Sequence, residues 1–263
     1  MRELNVEVHD GAGPHLLLVH GFLMSAAQWS PNVAALSKVC RPVVVELYGH
    51  GGSPTPEQPD AYLPNGYIEA FESIRKSLGA QRWLVCGYSL GAGLTIAYTL
   101  MYPERVIGHI FTNSTSAFAG PAQIETWRGG AADAAAKIEA GGIAAIEKMP
   151  VHPRHARRLA ASLYDALMQD AARLDPRGIA NTLRYTNPNV SVRARIQQNP
   201  RPALLICGST EQRFAPNRAF AAQQMPHLSI VDLLVGHGVN MEDPDGFNRA
   251  AADFITTHSR TTG

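Results

Sequence analysis

The chain has 263 residues, 45% of them hydrophobic and 17% charged, enough apolar length for a full core without disulfides or metal and too apolar for a disordered chain. Its 23 Lys and Arg against 22 Asp and Glu leave a net charge of +1, which gives no electrostatic reason to expect nucleic acid as a partner. Apolar runs such as Leu16–Val19 and Val43–Val45 are too short to cross a membrane, Met1–Gly13 with Arg2, Glu3, Glu7 and Asp10 lacks the apolar stretch of a signal peptide, and Cys40, Cys86 and Cys207 form no Cys-x-x-Cys pair, so a cytoplasmic protein with reduced core thiols is expected.

In chain order, His15–Val19 and Arg41–Leu47 read as strands, the second with Val43, Val44 and Val45 in series. Arg82–Gly87, Val106–Thr112, Pro202–Cys207 and His227–Leu233 follow. Near-continuous apolar runs suit strands covered on both faces. Tyr67–Leu78 places Ile68, Phe71, Ile74, Ser77 and Leu78 largely on one face and predicts an amphipathic helix. Leu90–Tyr102, Asn217–Met225 and Asp245–Thr257 are further helices. Strand and helix in alternation imply a mostly parallel sheet flanked by helices.

One region breaks the rhythm. Residues 117–199 show helical spacing, as in Arg154–Met168, and small-residue stretches at Gly129–Ala136 and Gly141–Ala145. They hold nine Arg and two Lys against seven acids, net +4, and leave the remainder at −3. The expected layout is a core of residues 1–116 and 200–263 with a helical cap, or lid, at 117–199.

Gly87-Tyr88-Ser89-Leu90-Gly91 sits between the strand ending at Gly87 and the helix starting at Leu90. A Gly-x-Ser-x-Gly run in that context is a turn tight enough to hold the serine in a strained conformation, with its hydroxyl at a helix N-terminus. Developing negative charge is favoured there. Gly93 is expected to let the helix lie close to its neighbouring strands. An acyl-transfer serine needs two backbone donors for its oxyanion. Leu90 follows the nucleophile, and Phe22 follows His20-Gly21 at the end of an earlier strand.

The general base must come from a loop at the same sheet edge. His237, in Gly236-His237-Gly238 before the last helix, follows Ser89 in the chain, whereas the competitors His20 and His50 precede it. Glu211, after the strand at Pro202–Cys207, lies between Ser89 and His237 and is the candidate acid. Pairing with Arg213 or Arg218 is its alternative. Asp232 competes from within a strand, while Asp243 and Asp245 suit capping of the last helix. Asn113 carries no charge and cannot be the acid. Trp29, Tyr88, Phe118, Trp127 and Phe214 are candidate walls of an apolar substrate pocket.

Together these residues resemble the α/β-hydrolase fold superfamily over nearly the whole chain. Leu17–Phe22 resembles its oxyanion loop, Gly87–Gly91 its nucleophile elbow, Leu204–Glu211 its acid-bearing strand, and Gly236-His237 with Glu242 and Pro244 its histidine loop. Glu46–Ser53 resembles its Asp-x-x-Gly-x-Gly-x-Ser turn with Glu46 in place of Asp, and Glu211 likewise stands where Asp is usual. Gly-Tyr-Ser-Leu-Gly, Gly-His-Gly-Gly-Ser and Glu211–Phe214 are similar to lyases of the SHCHC synthase type, although Gly91-Ala92-Gly93-Leu94 lacks the Arg of that pattern. The resemblance implies a mostly parallel central sheet with a helical cap inserted before the acid-bearing strand. It also implies a serine esterase of the carboxylesterase type acting on a small molecule without cofactor or metal. The alternatives are the lyase and a catalytically silent ligand-binding protein. Composition is silent on oligomeric state.

Overall fold

The computed structural model describes residues 3–259. Met1, Arg2 and residues 260–263, assigned above to the ends of the core, lie outside the described residues.

Seven strands form one sheet: β1 (Val6–Val8), β2 (His15–Val19), β3 (Arg41–Val45), β4 (Trp83–Gly87), β5 (Val106–Phe111), β6 (Ala203–Gly208) and β7 (Leu228–Leu233). Their spatial order is β1-β3-β2-β4-β5-β6-β7. β1 pairs antiparallel with β3, and the other pairs are parallel. β2 and β4 to β6 are buried along nearly their whole length. Their alternating side chains feed two cores, with Leu17, Val19 and Val85 in one and Leu16, Leu18 and Leu84 in the other.

The first core is covered by α2 (Pro64–Ser77), through Tyr67, Ile68 and Phe71, and by α3 (Leu90–Met101). The second is covered by α1 (Ser30–Leu36) and by the last helix, Pro244–Ser259, through Phe247, Phe254 and Ile255. β7 departs from the expected burial. It is the sheet edge, and Ser229 and Asp232 face water. β1 leaves no signal in the sequence, because three residues with Val8 exposed carry no apolar run. β3 ends at Val45 rather than Leu47. There the Glu46 carboxylate turns back to accept hydrogen bonds from Asn5 Nδ2 (2.9 Å), Ala26 N–H (3.1 Å) and Gly52 N–H (2.6 Å).

Between β5 and β6 the described chain has helices and turns and no strand. The long helix Pro121–Ile146 is broken at Gly142, whose φ of 58° and ψ of −146° are not helical. The helix read at Arg154–Met168 begins only at Ala161 and runs to Ala171. Pro153–His155 forms a separate turn, with the His152 ring accepting the Arg154 N–H. The insertion has its own apolar centre, Ala135, Ile138, Ile146, Ala171 and Ile179, and Leu23 from the loop after β2 is part of it. Six of the nine arginines in 117–199 pair with carboxylates: Arg128, Arg154, Arg158, Arg173, Arg177 and Arg184. Arg193 lies over the Phe220 ring at 3.6 Å. Four of these pairs use carboxylates of the same region, so among the described residues only Arg158 with Glu242 and Arg177 with Glu57 offset its net positive charge from outside.

Three histidines are fully buried. Burial lowers His20 to about 4, His50 to about 3 and His109 to about 3. Each is therefore neutral when folded but takes a proton near pH 6.5 when unfolded. The unfolded state binds more protons between these values, so stability is complete above about pH 6.5 and is lost as pH falls toward about 4. Among the described residues His109 has no hydrogen-bond partner on either ring nitrogen. Urea midpoints should therefore be lower near pH 5 than near pH 7, and His109→Leu should shrink that difference. Equal midpoints at the two pH values would contradict this account.

Candidate active site

Ser89 lies between β4 and α3 with φ 50° and ψ −111°. Two glycines make that turn possible. A Cβ on Gly87 would lie 2.4 Å from both Gly91 O and Thr95 Oγ1, and one on Gly91 would lie 2.4 Å from Val19 O. Gly93 does not serve the strands as expected. It faces the insertion, where a Cβ would meet Val190 Cγ2 at 2.7 Å.

Ser89 Oγ is 3.0 Å from His237 Nε2, and His237 Nδ1 is 2.8 Å from Glu211 Oε2. With the proton on Nδ1 donated to the carboxylate, Nε2 is free to accept the serine proton. Burial pushes the Glu211 carboxyl up. The hydrogen bond and charge of His237, with help from Asn113 and Arg213, outweigh it and hold the carboxyl below its ordinary value. Glu211 is therefore ionised at neutral pH. Its competitors are engaged elsewhere, since Asp232 pairs with Arg218 at 2.6 Å and Asp243 caps the last helix through Gly246 N–H at 2.9 Å.

The loop after β2 is fixed by neutral histidines. Leu47 N–H donates to His20 Nε2 (2.9 Å), which leaves the proton on Nδ1 for Gly21 O (2.7 Å). Leu23 N–H donates to His50 Nε2 (3.2 Å), and His50 Nδ1 donates to Tyr48 O (3.0 Å). Gly21 N–H is held by Gln28 Oε1 at 3.1 Å. The N–H groups of Phe22 and Leu90 have no acceptor among the described residues. His20, His50, Gln28 and Glu46 are thus framework residues of the site; His20, His50 and Glu46 lie in the two motifs noted above, whereas Gln28 lies in neither.

The expected pocket walls are largely core. Trp29 is fully buried against Phe247, with ring centroids 6.0 Å apart. Phe118 is enclosed by Phe111, Phe214 and Phe220, and Phe214 is buried with it. All three are closed off from solvent by these neighbours. Tyr88 is buried beside the His237 ring, at 5.3 Å, and supports it. Trp127 is half-buried on the long helix of the insertion, and no hydrogen bond or ring contact among the described residues ties it to Ser89.

Among the described residues no group of three or more His, Cys, Asp or Glu is placed to hold a metal ion, and no helix is long and apolar enough to cross a membrane. The three cysteines are buried and unpaired by disulfide, and burial pushes Cys40 up to about 12 and Cys207 up to about 11. A cavity of about 750 Å3 opens between the loop after β3, α2 and the insertion. Tyr48, Thr55, Asp60, Glu69 and Arg177 help line it, whereas Ser89, His237 and Glu211 do not.

The histidine loop is strapped from behind. Glu242 accepts the N–H groups of Gly236 and Gly238, each at 3.2 Å, and pairs with Arg158 of the insertion at 3.5 Å. Glu242→Ala strands two backbone donors and should lower the unfolding free energy by about 1–3 kcal/mol. Arg158 is largely exposed, so Arg158→Ala should cost at most about 1 kcal/mol. Urea denaturation measures both. The reverse ranking would show that the ion pair, not the carboxylate strap, holds the loop.

A profile of the alpha/beta hydrolase fold matches residues 14–244. A putative 2-succinyl-6-hydroxy-2,4-cyclohexadiene-1-carboxylate synthase of Bacillus subtilis is 24% identical over 98% of this chain and 100% of its own. Carboxylesterase YbfK of the same organism is 24% identical over 92% of this chain and 80% of its own. The enol-lactonase of Burkholderia xenovorans superimposes with a TM-score of 0.81 at 22% identity, covering 96% of both chains. MenH of S. aureus superimposes with a TM-score of 0.84 at 17% identity, covering 96% of this chain and 98% of its own. With that profile spanning most of its length and the sheet order described above, the chain belongs to the alpha/beta hydrolase fold family.

Proposed function

We propose that this protein is a serine hydrolase that cleaves a carboxylic ester through an acyl-enzyme on Ser89, with lactones and thioesters as related substrates. The observation that carries the reading is the hydrogen-bonded line from Glu211 through His237 to Ser89 Oγ. In the first step Ser89 Oγ attacks the substrate carbonyl carbon and His237 Nε2 takes its proton. Ionised Glu211 holds the Nδ1–H and stabilises the imidazolium. The carbonyl oxygen, now negative, accepts hydrogen bonds from Phe22 and Leu90 N–H. Loss of one such donor typically costs about 3–4 kcal/mol of transition-state stabilisation. His237 then protonates the leaving alcohol. A water molecule, deprotonated by the same Nε2, attacks the acyl carbon and releases the acid and Ser89.

In this reading residues 117–199 form the lid. Their apolar centre includes Leu23, beside Phe22, so lid and oxyanion loop are packed as one unit. The substrate is a small molecule. Tyr88 shapes the site through His237, and Trp127 is retained as a proposed wall on the lid. The carboxylesterase and enol-lactonase relatives support ester or lactone cleavage.

The full-length similarity to the cyclohexadiene-carboxylate synthase favours a second reading, a lyase that uses the same residues for proton abstraction and elimination. Against it stand the absence of Arg in Gly91–Leu94 and the complete burial of that turn. A panel of p-nitrophenyl esters and lactones of varied acyl length separates the two. Under the hydrolase reading at least one class turns over, Ser89→Ala abolishes it, and Glu211→Gln lowers kcat by about two to four orders of magnitude. No turnover of any ester or lactone, with elimination from a polycarboxylate, would establish the lyase. Full activity of Glu211→Gln would remove the acid from the mechanism.

A further inference from the structure

Thr112, Asn113 and Ser114 follow β5 directly, and β5 lies between β4, which carries Ser89, and β6, which carries Glu211. All three side chains are fully buried. The paired register of β5 with β6 ends at Phe111 and Leu205, so beyond it no backbone ladder holds the two strand ends together. Side chains take over. Asn113 Oδ1 accepts Gly208 N–H at 3.0 Å, and Asn113 Nδ2 donates to Gly208 O at 3.0 Å. The second hydrogen on Nδ2 donates to Glu211 Oε2 at 2.8 Å, the same oxygen that accepts from His237. This set fixes the amide orientation, because the flipped group would set its oxygen against both Gly208 O and the carboxylate.

The two flanking residues reach the other way. Ser114 Oγ donates to Ser89 O at 2.6 Å, and Thr112 Oγ1 accepts from Ser89 N–H at 3.4 Å. The strained peptide of the nucleophile is thus gripped on both of its polar groups. A three-residue run therefore holds the serine with its first and third members and the acid with its second.

Glutamate needs this more than aspartate would. It has one more rotatable bond, so its carboxylate sweeps a larger volume and loses more entropy when fixed. Glu211 comes from a loop whose backbone closes on the histidine loop at Gly208, where a Cβ would lie only 1.8 Å from Gly236 O. We propose that Thr112-Asn113-Ser114 is a positioning segment that sets the separation of nucleophile and acid, with Asn113 acting on the reaction solely through Glu211.

The proposal rests on the hydrolase reading, and its test is a double-mutant cycle read by the rate at which a fluorophosphonate labels Ser89, located by peptide mass spectrometry. Asn113→Ala should slow labelling about ten- to hundred-fold when Glu211 is present. In a Glu211→Gln background it should change the rate by less than about two-fold, because its target is already disabled. Ser114→Ala, which touches Ser89 and not Glu211, should lose the same factor in both backgrounds. General loosening of the fold would give Asn113→Ala equal losses in both backgrounds, and that result, or no loss in either, overturns the proposal. If Asn113→Ala does not fold, Asn113→Asp keeps the shape and the acceptor for Gly208 N–H but sets a carboxylate against Glu211. The repulsion from Gly208 O is common to both backgrounds, so the loss beside Glu211 should exceed the loss beside the Gln variant by about ten-fold or more; equal effects again overturn the proposal. Failure of the unsubstituted protein to label at all would overturn the hydrolase reading, and this proposal with it.

Discussion

The arrangement depends on one unfavourable backbone conformation. Ser89 at φ 50° and ψ −111° occupies a region that costs a non-glycine residue of order 1–3 kcal/mol. The surrounding structure holds it there. Gly87 and Gly91 allow β4, α3 and the end of β2 to approach closer than any Cβ permits. Tyr88 N–H is fixed to Val19 O at 3.0 Å, and Gly91 N–H to Tyr88 O at 2.8 Å. The strain has a consequence that a relaxed turn lacks: Oγ stands clear of the sheet, at the first turn of a helix, within hydrogen-bond reach of His237.

Around this point the site is built from buried polar groups that are neutral or paired. His20 and His50 present one nitrogen to a backbone N–H and the other to a backbone carbonyl. Glu46 binds three donors from three parts of the chain. In a low-dielectric interior such groups are costly unless satisfied, and when satisfied they fix geometry. They hold the loop after β2 in place through Gly21, Leu23 and Leu47. Glu242 does the same for the histidine loop. Burial, which makes these contacts strong, is also what makes the histidines a liability in acid.

Much of this was legible in the sequence, for physical reasons that differ by element. The inner parallel strands announced themselves because both faces are covered, so their runs are apolar throughout. β1 and β7 lie at the edges and lack that signal. Turn chemistry and chain order single out Ser89, His237 and Glu211 in the sequence, and the structure brings the three into one hydrogen-bonded line. In the sequence Trp29, Phe118 and Phe214 look like pocket walls, because an aromatic residue near a strand end looks the same whether it faces a cavity or a core, and packing puts all three in the core. Asn113 has no charge to mark it in the sequence. Its importance comes from where the β5–β6 ladder stops, which is a property of register and is invisible in one chain read linearly.

In the proposed mechanism Ser89 becomes covalently acylated during turnover, which peptide mass spectrometry of protein quenched in acid during the first turnover of p-nitrophenyl acetate would detect. The expected result is an acetyl group on the Ser89 peptide that decays as acetate is released. Turnover of the ester with Ser89 unmodified throughout, and undiminished by Ser89→Ala, would contradict the account.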